Sequence, residues 1–144
     1  MLRAIHLEAP GLPLYITENG CAADDYVDPE GRLNDFARVD YLQGHFDAAW
    51  RAIQEGVNLR GYFVWSLMDN FEWARGYQRR FGLYFVDFGT QLRLPKRSAA
   101  FYSSVATKNA LPAAYATSRN GAESISAPSL PSAAMKASTM RGSN

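Results

Sequence analysis

Two carboxylates in this sequence occupy settings in which an acidic side chain could do chemistry. The first, Glu18, follows a short β-branched and aromatic run, Leu14–Thr17, and is followed by Asn19 and Gly20. A carboxylate at the end of a buried strand could serve as a base, a nucleophile or a ligand. The alternative is that Glu18 only caps the turn that follows, and its position alone leaves both interpretations open.

The second carboxylate, Glu72, lies in the most aromatic stretch of the sequence, between residues 62 and 88. Trp65, Trp73 and Tyr77 are interleaved there with hydrogen-bonding residues, namely Asp69, Asn70, Glu72 and Arg75. A sugar has apolar C–H faces and hydroxyl edges, so aromatic faces beside polar groups are typical of a carbohydrate site. Other apolar side chains of this stretch are predicted to form a core strand pair: Phe63, Leu83 and Phe85.

The elements around these clusters form a predicted βαβ unit. Residues 14–17 and 59–66 indicate two strands. An amphipathic helix between them is predicted to be capped by Asn34 or Asp35 at its start and by Gly56 at its end. Its apolar stripe is Val39, Leu42, Phe46, Ala49 and Ile53. Such a unit implies parallel strands and a right-handed crossover, with both polar clusters at C-terminal strand ends, where sites lie.

Downstream of this unit the sequence predicts a hairpin and a last helix. Residues 82–88 are predicted to form a strand that turns at a Gly-Thr pair into a second strand, residues 91–94. The helix is predicted to begin at Pro95, a favourable first-turn proline, and to run toward Lys108.

The composition divides the chain into residues 1–112 and residues 113–144. The second part is rich in Ala and Ser and has few large apolar groups. Such a segment cannot bury enough surface to offset its ordering entropy, so we expect a disordered tail. In the first part, both predicted strands are apolar on both faces and require neighbouring strands and helices that this chain lacks. Residues 1–112 are therefore predicted to be a fragment of a larger architecture.

Two motifs, together with the sequence around them, resemble the family 1 glycoside hydrolases. Residues 15–20, Tyr-Ile-Thr-Glu-Asn-Gly, match the family's nucleophile motif. Residues 65–73, Trp-Ser-Leu-Met-Asp-Asn-Phe-Glu-Trp, match its sugar-binding motif. The similarity is nearly continuous from about Leu2 to Pro112, with further matches at residues 60–63, 76–77, 80–83 and 95–96. The resemblance implies an α/β fold: a partial (β/α)8 TIM barrel, of which residues 1–112 supply the last two β/α units plus a β-hairpin and the C-terminal helix.

The resemblance also implies a β-glucosidase, which hydrolyses β-glycosidic bonds by retaining double displacement without a cofactor or a metal. Glu18 would be the nucleophile that attacks the anomeric carbon. Glu72 would accept hydrogen bonds from the O4 and O6 hydroxyls of the terminal sugar of a β-glucoside. Trp65 would stack on the apolar face of that sugar, Trp73 would donate its indole N–H to a hydroxyl, and Phe81 would shape the same pocket.

Glu18 and Glu72 are not the pair of carboxylates that a retaining mechanism needs. In the family that the sequence resembles, the acid/base is the Glu of an Asn-Glu-Pro motif on the fourth strand, and this motif does not occur here. The chain is therefore expected to hold half of a site and to be inactive alone. The alternative is a non-catalytic carbohydrate-binding or structural remnant of a truncated gene. A 6-phospho-β-glycosidase is disfavoured, because Glu72 would face the phosphate and like charges repel.

The composition excludes several other classes of function. A net charge of +1 in 144 residues gives no electrostatic footprint for nucleic acid or an anionic membrane. No apolar run approaches the roughly 20 residues that span a bilayer. The start of the sequence, with His6 and Glu8, lacks the apolar stretch of a signal peptide, so we expect a cytoplasmic location. Nothing in the sequence predicts an oligomeric state.

Two further features are expected to stay outside the chemistry. Cys21, the one cysteine, cannot form an internal disulfide and is expected to be a bystander thiol. The acidic group after it lacks the glycine and closing Glu of an EF-hand loop and is predicted to be a solvated loop: Asp24, Asp25, Asp28 and Glu30.

Overall fold

The computed structural model describes residues 1–112, which form helices and two small sheets. In chain order the elements are α1 (Leu2–Glu8), β1 (Leu14–Asn19), α2 (Phe36–Gln54), β2 (Leu59–Val64), a 3₁₀ turn (Trp73–Arg75), β3 (Tyr84–Val86), β4 (Arg93–Pro95) and α3 (Arg97–Lys108). The predicted disordered tail, residues 113–144, lies outside the described residues.

The βαβ unit is confirmed. Strands β1 and β2 pair in parallel, with Ile16 opposite Tyr62 and Asn19 opposite Val64, and α2 connects them. Strand β1 runs two residues further than the sequence indicated, so Glu18 lies within the strand instead of after it. Both strands end at the same edge of the sheet, as the parallel pairing requires.

Helix α2 ends as its sequence predicts. Gly56 has a φ of +93°, a left-handed conformation that glycine adopts without a steric penalty. The N–H of Gly56 donates to the carbonyl of Ile53, and that of Val57 donates to the carbonyl of Ala52, which satisfies the last carbonyls of the helix. The end of the predicted apolar stripe is wrong, however. Ala52 is buried and Ile53 is 45% exposed, because the stripe continues from Ala49 by a step of three residues.

The core lies between α2, the hairpin and α3. It is formed by buried side chains from all three regions: Val39, Leu42, Phe46, Leu83, Ala99 and Phe101. The ring of Phe46 contacts Tyr62 of β2 edge to face, with ring centroids 4.8 Å apart. The same ring lies 6.0 Å from Phe101 of α3. Phe46 thereby ties the parallel strands to both long helices.

The predicted start of the last helix is wrong. Pro95 is the last residue of β4, opposite Tyr84, and the helix begins two residues later at Arg97. Lys96, between them, has extended φ and ψ, and its N–H donates to the carbonyl of Leu83 at 2.9 Å. Proline lacks an N–H, so it fits the end of a strand as well as the first turn of a helix. The hairpin β3–β4 is confirmed, with shorter strands than expected.

Helix α1 was missed by the sequence interpretation. With seven residues it is too short to show a helical period in the sequence, and none of its residues is buried. No helix in residues 1–112 is both long enough and apolar enough to cross a membrane.

The two parallel strands leave apolar side chains uncovered. Within the described part of the chain their sheet has two strands, and Tyr15 and Phe63 are each 58% exposed. The prediction that Phe63 is a core side chain is therefore wrong for residues 1–112. Trp50 of α2 is also exposed. These surfaces agree with the prediction that the strands require neighbours.

Candidate active site at the ends of the parallel strands

The carboxylate of Glu18 is exposed at the C-terminal end of β1. Within residues 1–112 it has no hydrogen bond or ion pair, so it caps no turn. The next residue, by contrast, is fixed on three sides. The side chain of Asn19 donates to the hydroxyl of Tyr41 at 3.2 Å and accepts from that of Tyr62 at 2.6 Å, while its carbonyl accepts from the N–H of Trp65 at 2.9 Å. A rigid backbone therefore carries an accessible carboxylate.

The Tyr62 hydroxyl is a reliable donor in this arrangement. Burial raises the pKa of Tyr62 above its usual range, and the neighbouring Tyr41 and Tyr102 add to the effect. The proton therefore stays on Tyr62, and the side-chain oxygen of Asn19 keeps its partner. This arrangement fixes the amide of Asn19 directly beside Glu18.

Trp65 lies next to the end of β1 because of a glycine. A Cβ atom added at Gly20 would lie 1.8 Å from the carbonyl oxygen of Trp65, so only glycine permits this approach. The peptide bond between Trp65 and Ser66 is cis. The Trp65 side chain keeps more than a third of its surface exposed, which leaves ring surface open to a ligand.

Phe81 is brought to the same place by backbone pairing that the sequence did not reveal. The N–H of Ser66 donates to the carbonyl of Phe81 at 3.2 Å, and the N–H of Leu83 donates to the carbonyl of Ser66 at 2.8 Å. Phe81 is therefore a neighbour of Trp65. The structure thus gathers three of the predicted site residues around the strand ends: Glu18, Trp65 and Phe81.

Glu72 and Trp73 lie further along the same segment, at a tight turn. The N–H of Glu72 donates to the carbonyl of Gly76 at 2.7 Å, and Trp73 is 82% exposed. Within the described residues neither side chain has a hydrogen bond, ion pair or ring contact with Glu18, Trp65 or Phe81. Their loop is held by contacts between rings. Phe71 and Tyr77 pack edge to face with centroids 5.4 Å apart, and the tilted rings of Tyr77 and Phe88 have centroids 4.3 Å apart.

A buried network of ion pairs lies behind these residues, and sequence reasoning missed it. Nζ of Lys96 lies 2.6 Å from Asp25 and 2.7 Å from Asp69, and Arg80 lies 2.6 Å from the other oxygen of Asp69. Arg38 pairs with Asp25 at 2.7 Å. The prediction that Asp25 belongs to a solvated loop is therefore wrong, because its side chain is 3% exposed. The network draws on separate segments of the chain, so no local pattern reveals it.

Asp35 is the N-cap residue of α2, but its side chain does not cap that helix. It accepts hydrogen bonds from the backbone N–H of Ser98 at 2.9 Å, from the Ser98 hydroxyl and from Arg38. The first two N–H groups of α3, those of Arg97 and Ser98, have no acceptor within their own helix, and they donate to the carbonyl of Leu33 and to Asp35. The predicted capping role of Asp35 is therefore transferred from α2 to α3.

The buried network contains as many carboxylates as cations, three of each, so its charges balance. Burial acts to lower the pKa of Arg38, but the hydrogen bonds and negative charges of Asp25 and Asp35 outweigh it, so the pKa is raised. Burial raises the pKa of the Cys21 thiol despite the opposing charge of Arg38, so the thiol stays protonated at neutral pH. No group of three or more His, Cys, Asp or Glu side chains in residues 1–112 is arranged to hold a metal ion.

Comparisons with known proteins connect this geometry to a family. The sequence model described as "Glycosyl hydrolase family 1" matches residues 1–111. A "Beta-glucosidase A" of Thermotoga maritima is 58% identical over 98 residues, which are 68% of this chain and 22% of that protein. A "6-phospho-beta-galactosidase" of Staphylococcus aureus is 48% identical over 94 residues, 65% of this chain and 20% of the relative.

A solved structure gives the same result for the fold. The "Family 1 b-glucosidase from Thermotoga maritima in complex with isofagomine lactam" superposes with a TM-score of 0.75 at 53% identity, covering 77% of this chain and 25% of that one. The chain spans about a quarter of the length of the relatives that it matches.

Proposed function

This chain belongs to glycosyl hydrolase family 1, and we propose that it supplies the nucleophile half of a retaining β-glucosidase, as the last two β/α units of the barrel. The observation that carries the proposal is the state of Glu18. Its carboxylate is accessible and without a partner in the described residues, while the backbone beside it is fixed through Asn19. A nucleophile needs this combination of a free oxygen and a fixed position.

The proposed reaction has two displacements at the anomeric carbon. A carboxylate oxygen of Glu18 forms a bond to that carbon while the glycosidic bond breaks, and an acid protonates the departing oxygen. In the second step the acid/base residue deprotonates a water molecule. This water displaces Glu18 from the anomeric carbon and releases the sugar. The acid/base would be the Glu of the Asn-Glu-Pro motif, which the remaining barrel units would supply.

Substrate binding in this proposal is divided between the two parts of the site. Trp65 and Phe81, which lie beside the strand ends, offer apolar surface to the sugar ring. Glu72 would accept hydrogen bonds from O4 and O6, and Trp73 would donate its indole N–H to a hydroxyl. The exposed ring of Trp73 and the half-buried, unpaired carboxylate of Glu72 support this role, because neither side chain has a hydrogen-bond partner within residues 1–112.

The sugar is proposed to be unphosphorylated, although several relatives, all from Staphylococcus aureus, are 6-phospho-β-galactosidases. No cation within residues 1–112 pairs with Glu72, so its carboxylate would face a 6-phosphate directly. Two like charges in a partly desolvated pocket repel each other. A 4- and 6-hydroxyl, in contrast, are donors that suit a carboxylate acceptor.

In the experiment, this chain replaces the matching quarter of the β-glucosidase of Thermotoga maritima. We call the resulting hybrid protein the chimera. We expect the chimera to hydrolyse nitrophenyl β-glucoside, Glu18→Gln to abolish hydrolysis, and a 2-fluoro glucoside to label Glu18 in mass spectrometry. Glu8→Gln, a change at an exposed glutamate of α1, is the matched control and should keep the parent rate. A Glu18→Gln chimera with the parent rate, or a label on another residue, refutes the proposal.

The same assay tests the non-catalytic alternative. The isolated chain should show no turnover, because the loss of general-acid assistance alone costs about 10² to 10⁴ in rate. If the chimera folds and is inactive as well, the chain is better described as a binding or structural remnant.

A further inference from the structure

We propose that Lys96 is a positioning residue for substrate binding. It holds residues 67–80, which we call the sugar-binding loop, in register with residues 20–35, the loop that follows β1 and Glu18. The inference rests on the proposed function, because it assigns the site that Lys96 serves. Within residues 1–112 Lys96 forms no ion pair with Glu18 or Glu72; its ammonium pairs with Asp25 and Asp69. It acts through two carboxylates, one in each loop, and we call this arrangement the Lys96 bridge: Asp25, Lys96 and Asp69.

The geometry of the bridge is tight. Nζ of Lys96 lies 2.6 Å from Oδ2 of Asp25 and 2.7 Å from Oδ1 of Asp69. The lysine is 0% exposed, and its backbone N–H is bonded to the carbonyl of Leu83 at 2.9 Å. A buried lysine that is held at both its backbone and its ammonium has little freedom. The positions of the two carboxylates are therefore set relative to each other.

On one side the bridge fixes the origin of the sugar-binding loop. Asp69 lies three residues before Glu72, and its carboxylate also accepts from Arg80 at 2.6 Å and from the N–H of Gly82 at 2.9 Å. The backbone N–H of Asp69 donates to the carbonyl of Tyr84 at 3.0 Å. The chain is thus fixed three residues before Glu72.

On the other side the bridge fixes the loop after β1. Asp25 lies seven residues after Glu18 and is held in a two-pronged pair by Arg38, at 2.7 and 3.1 Å. The backbones of the two loops are joined as well. The N–H of Ala23 donates to the carbonyl of Arg80 at 3.0 Å, and Arg38 donates to the same carbonyl at 2.7 Å. Lys96 is the cation that both carboxylates share.

The charge balance of the buried network explains why the loss of Lys96 should affect the substrate site. The buried network has three carboxylates and three cations: Asp25, Asp35, Asp69, Arg38, Arg80 and Lys96. Without Lys96, the carboxylates of Asp25 and Asp69 face each other with no cation between them and repel. Each retains an arginine, Arg38 or Arg80. We therefore expect the two loops to move apart, with the fold kept and Glu72 displaced.

The experiment is a double-mutant cycle in the chimera between Lys96→Met and Glu72→Ala, with nitrophenyl β-glucoside as the substrate. Lys96→Met should raise KM about tenfold or more and change kcat much less, because Glu18 is anchored separately through Asn19. In the Glu72→Ala background the same change should raise KM less than about threefold. Lys108→Met, a change at an exposed lysine at the end of α3, should leave both constants unchanged.

Thermal unfolding separates positioning from general stability. The losses in Tm should add across the cycle, while the losses in kcat/KM should not. If the losses in kcat/KM also add, Lys96 has a structural role only and the inference fails.

Two further measurements keep the outcome clear. If Lys96→Met does not yield a folded chimera, Asp25→Asn removes the same bridge at its other end and should show the same coupling to Glu72; independent effects there overturn the inference. The parent chimera must turn over substrate and be labelled at Glu18. Failure of that control refutes the proposed function, whereas an active parent with an additive cycle refutes only the role of Lys96.

Discussion

Asp69 and Glu72 are three residues apart in the same loop, and their carboxylates meet opposite conditions. The side chain of Asp69 is 0% exposed and accepts from two cations and from backbone N–H groups. That of Glu72 has no hydrogen bond or ion pair in the described part of the chain. The carboxylate oxygens of Asp69 are saturated by partners within the fold, whereas those of Glu72 remain available to accept hydrogen bonds from a ligand.

The loop after β1 repeats this division. Glu18 is exposed and unpartnered within residues 1–112, while Asp25, further along, is buried between Arg38 and Lys96. Each strand end therefore presents one free carboxylate and holds one saturated carboxylate behind it. A site that must bind a neutral, polyhydroxylated ligand requires both, because a free acceptor is useful only if its loop is fixed.

The largest expected effect separates the two carboxylates by stability. Asp69→Asn should lower the free energy of unfolding by about 3–5 kcal/mol, because it leaves Lys96 and Arg80 buried beside an uncharged amide. Glu72→Gln, the matched change at the half-buried and unpaired carboxylate, should stay within about 0.5 kcal/mol of the parent. Urea unfolding of the full 144-residue chain, followed by tryptophan fluorescence, measures both. Equal effects at the two positions would remove the distinction between them.

The second largest expected effect distinguishes Glu72 from Asp69 by its role in substrate specificity. In the chimera, Glu72→Ala should lower kcat/KM for glucosides by about one to two powers of ten, since a hydrogen bond to a charged acceptor contributes roughly 1.5–3 kcal/mol. For a 4-deoxy or 6-deoxy glucoside the same substitution should cost much less, because one donor is already absent. If the losses from the substitution and from the deoxygenation simply add, Glu72 does not contact those hydroxyls.

Trp65→Ala is the control for that experiment. Stacking recognises the face of the sugar ring and not a single hydroxyl. The substitution should therefore weaken the parent sugar and both deoxy sugars to a similar degree. A hydroxyl-specific loss at Trp65 would instead mean that the alanine substitution displaces the loop that carries Glu72.

Local patterns in the sequence predicted the elements of the fold but not their contacts. The βαβ unit, the hairpin and the Gly56 cap follow from periodicity and glycine, which act over a few residues. The start of α3 was placed at Pro95 because a proline at a helix start and one at a strand end are alike in sequence. Its position is decided by Lys96, whose partners lie far away in the chain.

The residues of the candidate site also fall into those that a local motif reveals and those that only the fold brings together. Motif resemblance identified Glu18, Trp65, Glu72, Trp73 and Phe81, and the structure brings three of them together. The roles of all five stay predictions, as does the cytoplasmic location. The supporting network could not be found from sequence, because a buried carboxylate such as Asp25 and a solvated one such as Asp24 look identical until the fold is known. Ion pairs between distant segments leave no periodic signal.

The smallest expected effect concerns the anchor beside Glu18. The hydroxyl of Tyr62 donates to Asn19 at 2.6 Å, and burial raises the pKa of Tyr62, so the folded chain keeps a proton that the unfolded chain releases above about pH 10. The contribution of Tyr62 to stability is thus complete below pH 10 and declines as the pH rises further. Tyr62→Phe should lose about 0.5–1.5 kcal/mol at pH 8, because the Asn19 acceptor loses its donor. It should also escape the alkaline decline, so the stabilities of parent and variant converge above pH 10. Urea unfolding of the full chain, followed by far-ultraviolet circular dichroism between pH 8 and 11.5, measures the difference, and Tyr26→Phe at a 76% exposed position should run parallel to the parent. A constant gap between the parent and Tyr62→Phe at every pH would mean that the hydroxyl is not protected in the fold, and the fixed position of Asn19 would need another explanation.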